Sequence, residues 1–154
     1  MLLQYSKKFE PYLADGSKIH AMLEHKVTHP PVGSKLLEFA GYHRKNCQLV
    51  RDDRKLHSWQ EVRIFFNEKK PSIYIDGHRL TDDAMLLLAY NEGFRGTRRA
   101  LVGHMLKHIG INYTGEKWMG QLFHATNFRY HPCLDYAYLV DQLFQLTIPF
   151  KTPN

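Results

Sequence analysis

The stretch Ile73–Phe94 reads IYIDGHRLTDDAMLLLAYNEGF, and the predicted fold is built around it. Ile73–Ile75 consists of residues that favour strands, and Asp76–Gly77 is typical of a tight turn. Thr81 precedes a run of apolar residues at helical spacing, so we expect it to cap the N-terminus of a helix. Gly93 is expected to end that helix in a left-handed conformation. The stretch therefore predicts a strand, a turn and a capped helix in succession.

Alternation of apolar and polar residues predicts further strands on both sides of this stretch. Glu61–Phe66 and Ser72–Ile75 flank a polar turn, and we expect them to form an antiparallel hairpin. The remaining predicted strands are Ser17–Glu24, Leu36–Ala40, Cys47–Val50 and Trp118–Phe128. The charged run between two of these strands, Arg51–Lys55, is predicted to be a solvated turn.

Helical spacing of apolar residues predicts three more helices, over Lys7–Gly16, Thr97–His108 and Tyr136–Leu146. The last of these carries Leu139 and Leu143 on one face. We expect it to pack back on the domain, and the alternative is a helix that binds a protein partner. Residues 1–130 are predicted to form the main domain, with 131–154 as a helical extension packed on it.

Length and composition restrict the class of protein before any motif is considered. The chain has 154 residues, 44% hydrophobic residues and a formal net charge of +6. These values favour one globular domain, and the basic charge favours an anionic partner such as RNA, although a solubilising surface charge is an equal alternative. Two cysteines and the lack of a secretory leader or a long apolar run predict a cytoplasmic protein without a membrane span.

Five short motifs occur in an order that is similar to a known family. They are Gly16-Ser17-Lys18-Ile19-His20, Val32-Gly33-Ser34-Lys35-Leu36, Ile75-Asp76-Gly77, Leu88-Ala89-Tyr90-Asn91-Glu92-Gly93-Phe94 and Phe123-His124-Ala125-Thr126-Asn127-Phe128-Arg129-Tyr130. This ordered set resembles the ASCH family of the PUA-like superfamily, in a variety familiar from phages and Bacteroidetes genomes. The resemblance covers roughly Phe9 to Tyr130.

The resemblance implies an α+β fold with a small, mostly antiparallel PUA-like (ASCH-type) β-barrel and packed helices. It also implies a cleft that binds RNA or a modified nucleobase. Some ASCH-like proteins, the bacterial acetylcytidine amidohydrolases, hydrolyse an acetyl amide on a nucleoside with a lysine, a threonine and a glutamate. Lys18 matches that lysine, and Glu92 is the candidate for the glutamate.

One position departs from the pattern of these relatives. They commonly have Lys-Ile-His-Thr where this chain has Lys18-Ile19-His20-Ala21. Ala21 has no hydroxyl to act as a nucleophile or to hold a water molecule. The resemblance therefore predicts a binding site at Lys18 and Glu92 and leaves its catalytic competence open.

The chemistry of the two candidate catalytic residues is compatible with hydrolysis of an amide. A glutamate such as Glu92 can activate water, and a nearby lysine such as Lys18 can stabilise negative charge. The alternative is structural: Lys18 as an exposed lysine beside a turn, and Glu92 as a solvated acid at a helix end.

Basic residues interleaved with aromatic ones suggest a nucleic-acid surface, since arginines pair with phosphates and aromatic rings stack on unpaired bases. The candidate nucleic-acid-binding residues are Arg44, Lys45, Arg95, Arg98, Arg99, Arg129 and Tyr130.

The histidines raise the question of a metal site. His104 and His108 lie four positions apart on a predicted helix, and His20, His25 and His29 lie close together in the sequence. No third ligand completes a known motif around the helical pair, so a polar helix face is the favoured interpretation. We therefore predict no metal and no cofactor.

Three functions remain open from the sequence. The leading hypothesis is an RNA- or modified-nucleobase-binding protein. The first alternative is an amidohydrolase of acylated nucleosides, with Glu92 as base and Lys18 as its partner. The second is a protein-interaction module of phage origin that uses residues 136–146.

Overall fold

The computed structural model describes residues 1–24, 30–41, 46–66, 70–110 and 115–145. The strands in these ranges are β1 (Leu2–Tyr5), β2 (His20–Glu24), β3 (Leu37–Ala40), β4 (Gln48–Arg51), β5 (Ser58–Phe65), β6 (Ser72–Ile75), β7 (His78–Arg79) and β8 (Lys117–His124). The helices are α1 (Glu10–Ala14), α2 (Asp82–Asn91), α3 (Leu101–Gly110) and α4 (Tyr136–Gln145), and a 3-10 turn (Lys7–Phe9) precedes α1. The predicted α+β class is thus confirmed. None of these helices is long and apolar enough to cross a membrane.

The larger sheet is antiparallel and has the strand order β2-β8-β5-β6-β7. β5 pairs with β8, with Ser58 opposite His124, and with β6, with Val62 opposite Ile75. The second pairing confirms the predicted hairpin. The Asp76–Gly77 turn, with φ of 48° and 81°, then leads into β7, a two-residue strand that the sequence did not predict.

The smaller sheet has the order β1-β3-β4. β1 runs parallel to β3, with Leu3 opposite Glu38, and β4 runs antiparallel to β3, with Phe39 opposite Leu49. β1 was not predicted, and its parallel pairing brings Tyr5 beside the C-terminal end of β3. The strands of the described ranges lie in two separate sheets, and no closed barrel is detected among them.

Helix α2 occupies the interior, and every residue of 84–89 is buried. The Oγ1 of Thr81 accepts a hydrogen bond from the N–H of Ala84 at 3.2 Å, which confirms the predicted N-cap. α2 contacts α3 and α4, so it is covered on more sides than the single face that was predicted. Glu92 is its C-cap residue, and Gly93, with φ of 90°, confirms the left-handed end.

Several predicted elements have different ends in the structure, among them α3 and β8. α3 begins at Leu101 and not at Thr97, and the Thr97 carbonyl accepts hydrogen bonds from Ala100 and Leu101 in the turn that precedes the helix. β8 ends at His124 and not at Phe128, where the N–H of Phe128 bonds instead to Thr126 Oγ1 at 3.3 Å.

Helix α4 packs on α2 through its buried Tyr136 and Val140, which confirms that this helix returns to the domain. Leu139 is only partly buried, and Leu146 lies outside the described residues. The opposite side of the helix carries Tyr138, which is 60% exposed. A role for this helix in binding a protein partner stays a prediction.

Candidate ligand-binding site at the Lys18 and Glu92 pair

Lys18 lies in the short segment between α1 and β2, and backbone hydrogen bonds fix this segment to its neighbours. The Lys18 N–H donates to the Tyr12 carbonyl at 2.8 Å, and the Ile19 N–H donates to the Asn91 carbonyl at 3.0 Å. The second bond ties the segment to the last residue of α2. Lys18 and Glu92 are 74 positions apart in the sequence and become neighbours through this attachment.

The ammonium group of Lys18 is fully hydrogen-bonded. Its Nζ donates to the Glu92 carboxylate Oε2 at 2.9 Å, to the Glu92 backbone carbonyl at 2.7 Å and to the His20 backbone carbonyl at 2.8 Å. Because an ammonium has three donors, none remains for a ligand unless one of these bonds is broken. In this arrangement Lys18 orients and neutralises the carboxylate.

Both members of the pair are buried, with Lys18 2% and Glu92 7% exposed. The Lys18 ammonium also lies 4.8 Å from the centre of the Tyr5 ring and 5.2 Å from that of Phe9. Burial lowers the pKa of Lys18, while the Glu92 carboxylate opposes that shift. The alternatives of an exposed lysine and a solvated acid are therefore wrong for this pair.

A second buried ion pair supports the segment from the other side. Arg54 donates to the carbonyls of Lys18 at 2.6 Å and Gly16 at 3.0 Å, and it lies 3.7 Å from Glu38. Tyr5 Oη donates to Glu38 Oε1 at 3.3 Å. Burial raises the pKa of both Glu38 and Tyr5.

The prediction of a solvated turn over Arg51–Lys55 is consequently wrong for Arg54. Its side chain is 9% exposed. The physical reason is that the backbone carbonyls of Gly16 and Lys18 need hydrogen-bond donors. The Arg54 guanidinium donates to both of these carbonyls.

A cleft of about 190 Å³ borders the pair. Aromatic and aliphatic side chains form most of its wall, and Glu92 and Lys18 are its charged residues. The other Glu92 carboxylate oxygen, Oε1, is buried and has no hydrogen-bond partner within the described part of the chain. The cleft therefore offers an unpaired acceptor surrounded by apolar surface, and such an acceptor favours a ligand that carries an N–H or O–H donor.

Ala21 does not contribute to this cleft. It is 2% exposed, lies opposite Phe123 in the pairing of β2 with β8, and is not among the residues that line the cleft. Ser6 lines the cleft and brings a hydroxyl. The sequence comparison that singled out Ala21 gave no indication of Ser6.

The predicted nucleic-acid-binding residues have separate environments. Arg95 lies between the rings of Tyr12 and Tyr90, at 4.2 Å and 3.7 Å from their centres. Arg98 pairs with Asp83 at 3.0 Å and with Asp141 at 3.3 Å.

The other members of that set differ again. Arg99 is exposed, and Arg129 pairs with Asp76 at 3.5 Å. Arg44 and Lys45 lie outside the described residues. Arg98 and Arg129 are paired with different carboxylates, so a shared nucleic-acid surface stays a prediction.

Tyr130, the last predicted nucleic-acid-binding residue, has a buried ring, and its role in binding stays a prediction. Tyr130 is 4% exposed, and its ring stacks on that of Tyr136 with centres 6.0 Å apart. Its hydroxyl meets the side-chain amide of Asn91 at 3.3 Å. The aromatic pattern of the sequence does not indicate that α4 covers this ring.

The histidines of the described ranges do not form a group of three or more potential metal ligands with any cysteine or carboxylate there. His104 is exposed, and His108 lines the cleft. His25 and His29 lie outside the described residues.

Comparison of the chain with protein-family models, with curated proteins and with solved structures found no match. The ASCH resemblance therefore stays a prediction that rests on the sequence motifs.

Proposed function

We propose that the cleft beside Lys18 and Glu92 binds a nucleobase, presented by a modified nucleoside or by an unpaired residue of RNA. The observation that carries this proposal is the buried, unpaired Oε1 of Glu92 at a cleft with aromatic walls. The sequence resemblance to ASCH proteins, together with the PUA-like barrel that it implies, points the same way and belongs to the same proposal.

The chemistry of a nucleobase matches this site in two respects. A carboxylate accepts a hydrogen bond from an exocyclic amino group such as that of cytosine, and Glu92 has one oxygen available for it. The apolar faces of a base suit the apolar wall of the cleft, to which Tyr5, Phe9 and Phe94 contribute. The hydrogen bond from Lys18 Nζ to Glu92 Oε2 orients the carboxylate and leaves Oε1 as the acceptor for the base.

Calorimetric titration of the full chain with cytidine, N4-acetylcytidine, uridine and adenosine tests the proposal. We expect at least one base to bind and expect Met22→Trp, which adds bulk to the wall of the cleft and leaves Lys18 and Glu92 in the chain, to reduce that affinity by about tenfold or more. Met119→Trp, the same substitution at an exposed position of β8, is the matched control. Absence of binding by every base, or equal binding by Met22→Trp, would refute the proposal.

A second candidate function is hydrolysis of an N-acyl nucleoside, favoured by the Lys18–Glu92 hydrogen bond of 2.9 Å. Glu92 Oε1 would take a proton from water as the water oxygen bonds to the acyl carbon. The same proton would then pass to the leaving nitrogen as the carbon–nitrogen bond breaks, releasing a carboxylic acid and the amino nucleoside. Water is the nucleophile in this scheme because Ala21 supplies no hydroxyl.

Chromatography of N4-acetylcytidine incubated with the protein tests this second function. We expect wild-type protein to release cytidine and acetate and expect folded Glu92→Gln protein to release neither, because the amide cannot act as a base. Circular dichroism confirms that the variant is folded. Wild-type protein that binds the nucleoside and leaves it intact would refute hydrolysis and retain the binding proposal.

A further inference from the structure

A second cavity, which we call the basic groove, adjoins the cleft. It has a volume of about 380 Å³ and shares Phe9, Phe94 and His108 with the wall of the cleft. Residues from the α1 region, the exit of α2 and helix α3 converge on it. A ligand in the cleft therefore lies next to the groove.

The basic groove has one sign of charge. Lys8, Arg95 and Lys107 line it, together with His104, and none of the described residues that line it is an aspartate or a glutamate. A concave surface whose charged side chains are all positive concentrates anions. Within the described ranges neither Lys8 nor Lys107 has an ion-pair partner, whereas the adjacent Lys7 pairs with Glu10.

Arg95 gives the groove a fixed cation. Its guanidinium donates to the carbonyls of Tyr90 at 2.7 Å and Phe94 at 2.9 Å and to Ser17 Oγ at 2.6 Å, and it lies between two tyrosine rings. None of these partners carries a negative charge, so the positive charge of Arg95 is held in place without being neutralised.

We propose that the basic groove binds a phosphate attached to the sugar of the base that occupies the cleft. This inference rests on the proposed function and adds to it the class of ligand: a nucleotide, either free or as a residue of an RNA strand, in preference to an unphosphorylated nucleoside. The sugar lies along Phe9, Phe94 and His108, where the cleft and the groove meet. Lys8 and Lys107 contact the phosphate oxygens, and the positive charge of Arg95 adds to the electrostatic attraction.

Titration calorimetry with three pairs of ligands tests the inference: cytidine and its 5′-monophosphate, N4-acetylcytidine and its 5′-monophosphate, and adenosine and its 5′-monophosphate. We expect the monophosphate of the base that binds to have about tenfold higher affinity than its nucleoside at low salt. The difference should shrink as the salt concentration rises, because it depends on charge.

The decisive variant is Lys8→Ala combined with Lys107→Ala. It should remove the preference for the monophosphate, measured as the ratio of the monophosphate and nucleoside affinities of the same variant. The matched control is Lys35→Ala combined with Lys70→Ala, which removes the same charge from lysines paired with Asp52 and Asp82. An equal loss in both double variants means a general charge effect and overturns the inference.

The remaining outcomes distinguish failure of the phosphate site from failure of the proposed nucleobase binding. Equal affinity for nucleoside and monophosphate overturns the phosphate site and leaves the nucleobase proposal intact. Inorganic phosphate that binds the groove while no nucleoside or nucleotide binds overturns both. A short RNA that contains the preferred base distinguishes the two sources of the phosphate. Tighter binding than that of the monophosphate identifies an RNA residue as the ligand, and weaker or equal binding identifies a free nucleotide. Either result supports the phosphate site, provided that the monophosphate binds more tightly than the nucleoside.

Discussion

Two buried pairs of polar side chains flank the start of β2, and they handle the cost of burial in opposite ways. Lys18 and Glu92 form an ion pair in which every ammonium donor is used. His20 and His124 lie edge to face with ring centres 4.6 Å apart, and none of their four ring nitrogens has a hydrogen-bond partner within the described ranges. Lys18 and Glu92 carry opposite charges that compensate each other. The two histidines have lowered pKa values, which favour their neutral forms.

This difference in hydrogen bonding indicates which of the two pairs is suited to bind a ligand. The ion pair borders a cleft and retains one unpaired carboxylate oxygen, so a ligand can complete its hydrogen bonding. His20 is covered by the rings of Phe128 and Tyr130, His124 is buried against His20, and neither histidine is among the described residues that line the cleft or the basic groove. Burial lowers the pKa of both imidazoles, that of His124 to about 4. We infer a role in folding for the histidines and in binding for the ion pair.

The largest effect should come from breaking the ion pair on one side only. Glu92→Leu leaves a buried ammonium without a counter-charge, and we expect it to lower the free energy of unfolding by about 3–5 kcal/mol. Lys18→Met combined with Glu92→Leu should recover most of that loss, because no buried charge remains. Urea unfolding of the three proteins measures both changes. A double variant no more stable than Glu92→Leu would show that Lys18 contributes mainly through packing.

The next largest effect should come from acid, which lowers the free energy of unfolding through the buried histidine pair. The folded-state pKa of His124 is about 4, below the 6.5 of an ordinary imidazole, so between these values the unfolded chain binds more protons. Stability contributed by the neutral imidazole is therefore complete above about pH 6.5 and lost as the pH falls toward 4, by about 3 kcal/mol for His124.

Urea unfolding between pH 4 and 7 measures this slope, and the comparison is with His124→Leu. The variant should lose part of the dependence on pH, because one imidazole that must take up a proton on unfolding has been removed. His57→Leu is the control, since His57 is exposed. An unchanged slope in His124→Leu would assign the acid sensitivity to other groups.

Arg54 should have a smaller effect, which reaches the Lys18–Glu92 pair and leaves the histidine pair unchanged. Arg54→Met removes the donors to the Lys18 and Gly16 carbonyls and leaves Glu38 without its cation. We expect a loss of about 2 kcal/mol in the free energy of unfolding and weaker binding in the cleft, since Lys18 loses its support. The pH dependence assigned to His124 should stay as in the wild type. A change in that dependence instead would mean that the two pairs are coupled through β2.

Local signals in the sequence predicted the parts of the molecule that depend on neighbouring residues. Thr81 and Gly93 mark the ends of α2, and alternation in β5 and β6 predicted their hairpin. The proximity of Lys18 and Glu92 was expected from the family resemblance, and the distance of 2.9 Å agrees with it.

Features that depend on distant contacts were not predictable in this way. The burial of Arg54 follows from the carbonyls of a turn 36 and 38 positions away, and a charge run by itself indicates exposure. The parallel pairing of β1 leaves no periodic signal in four residues. The histidine pair arises from the register of β2 against β8, which alternation alone does not determine.

Tyr130 offers the finest test, because it contacts His20 and the residue that precedes Glu92. Its ring lies 5.5 Å from that of His20, and its hydroxyl meets Asn91, the residue before Glu92, at 3.3 Å. Tyr130→Phe keeps the ring and removes the hydroxyl, so we expect a loss of about 1 kcal/mol in unfolding free energy and no change in the slope with pH. Asn91→Ala should cost a similar amount if the lost hydrogen bond is the cause, and the combination of both changes should cost less than their sum. Additive losses in this double-mutant cycle would mean that the hydrogen bond between the Tyr130 hydroxyl and Asn91 does not contribute to stability.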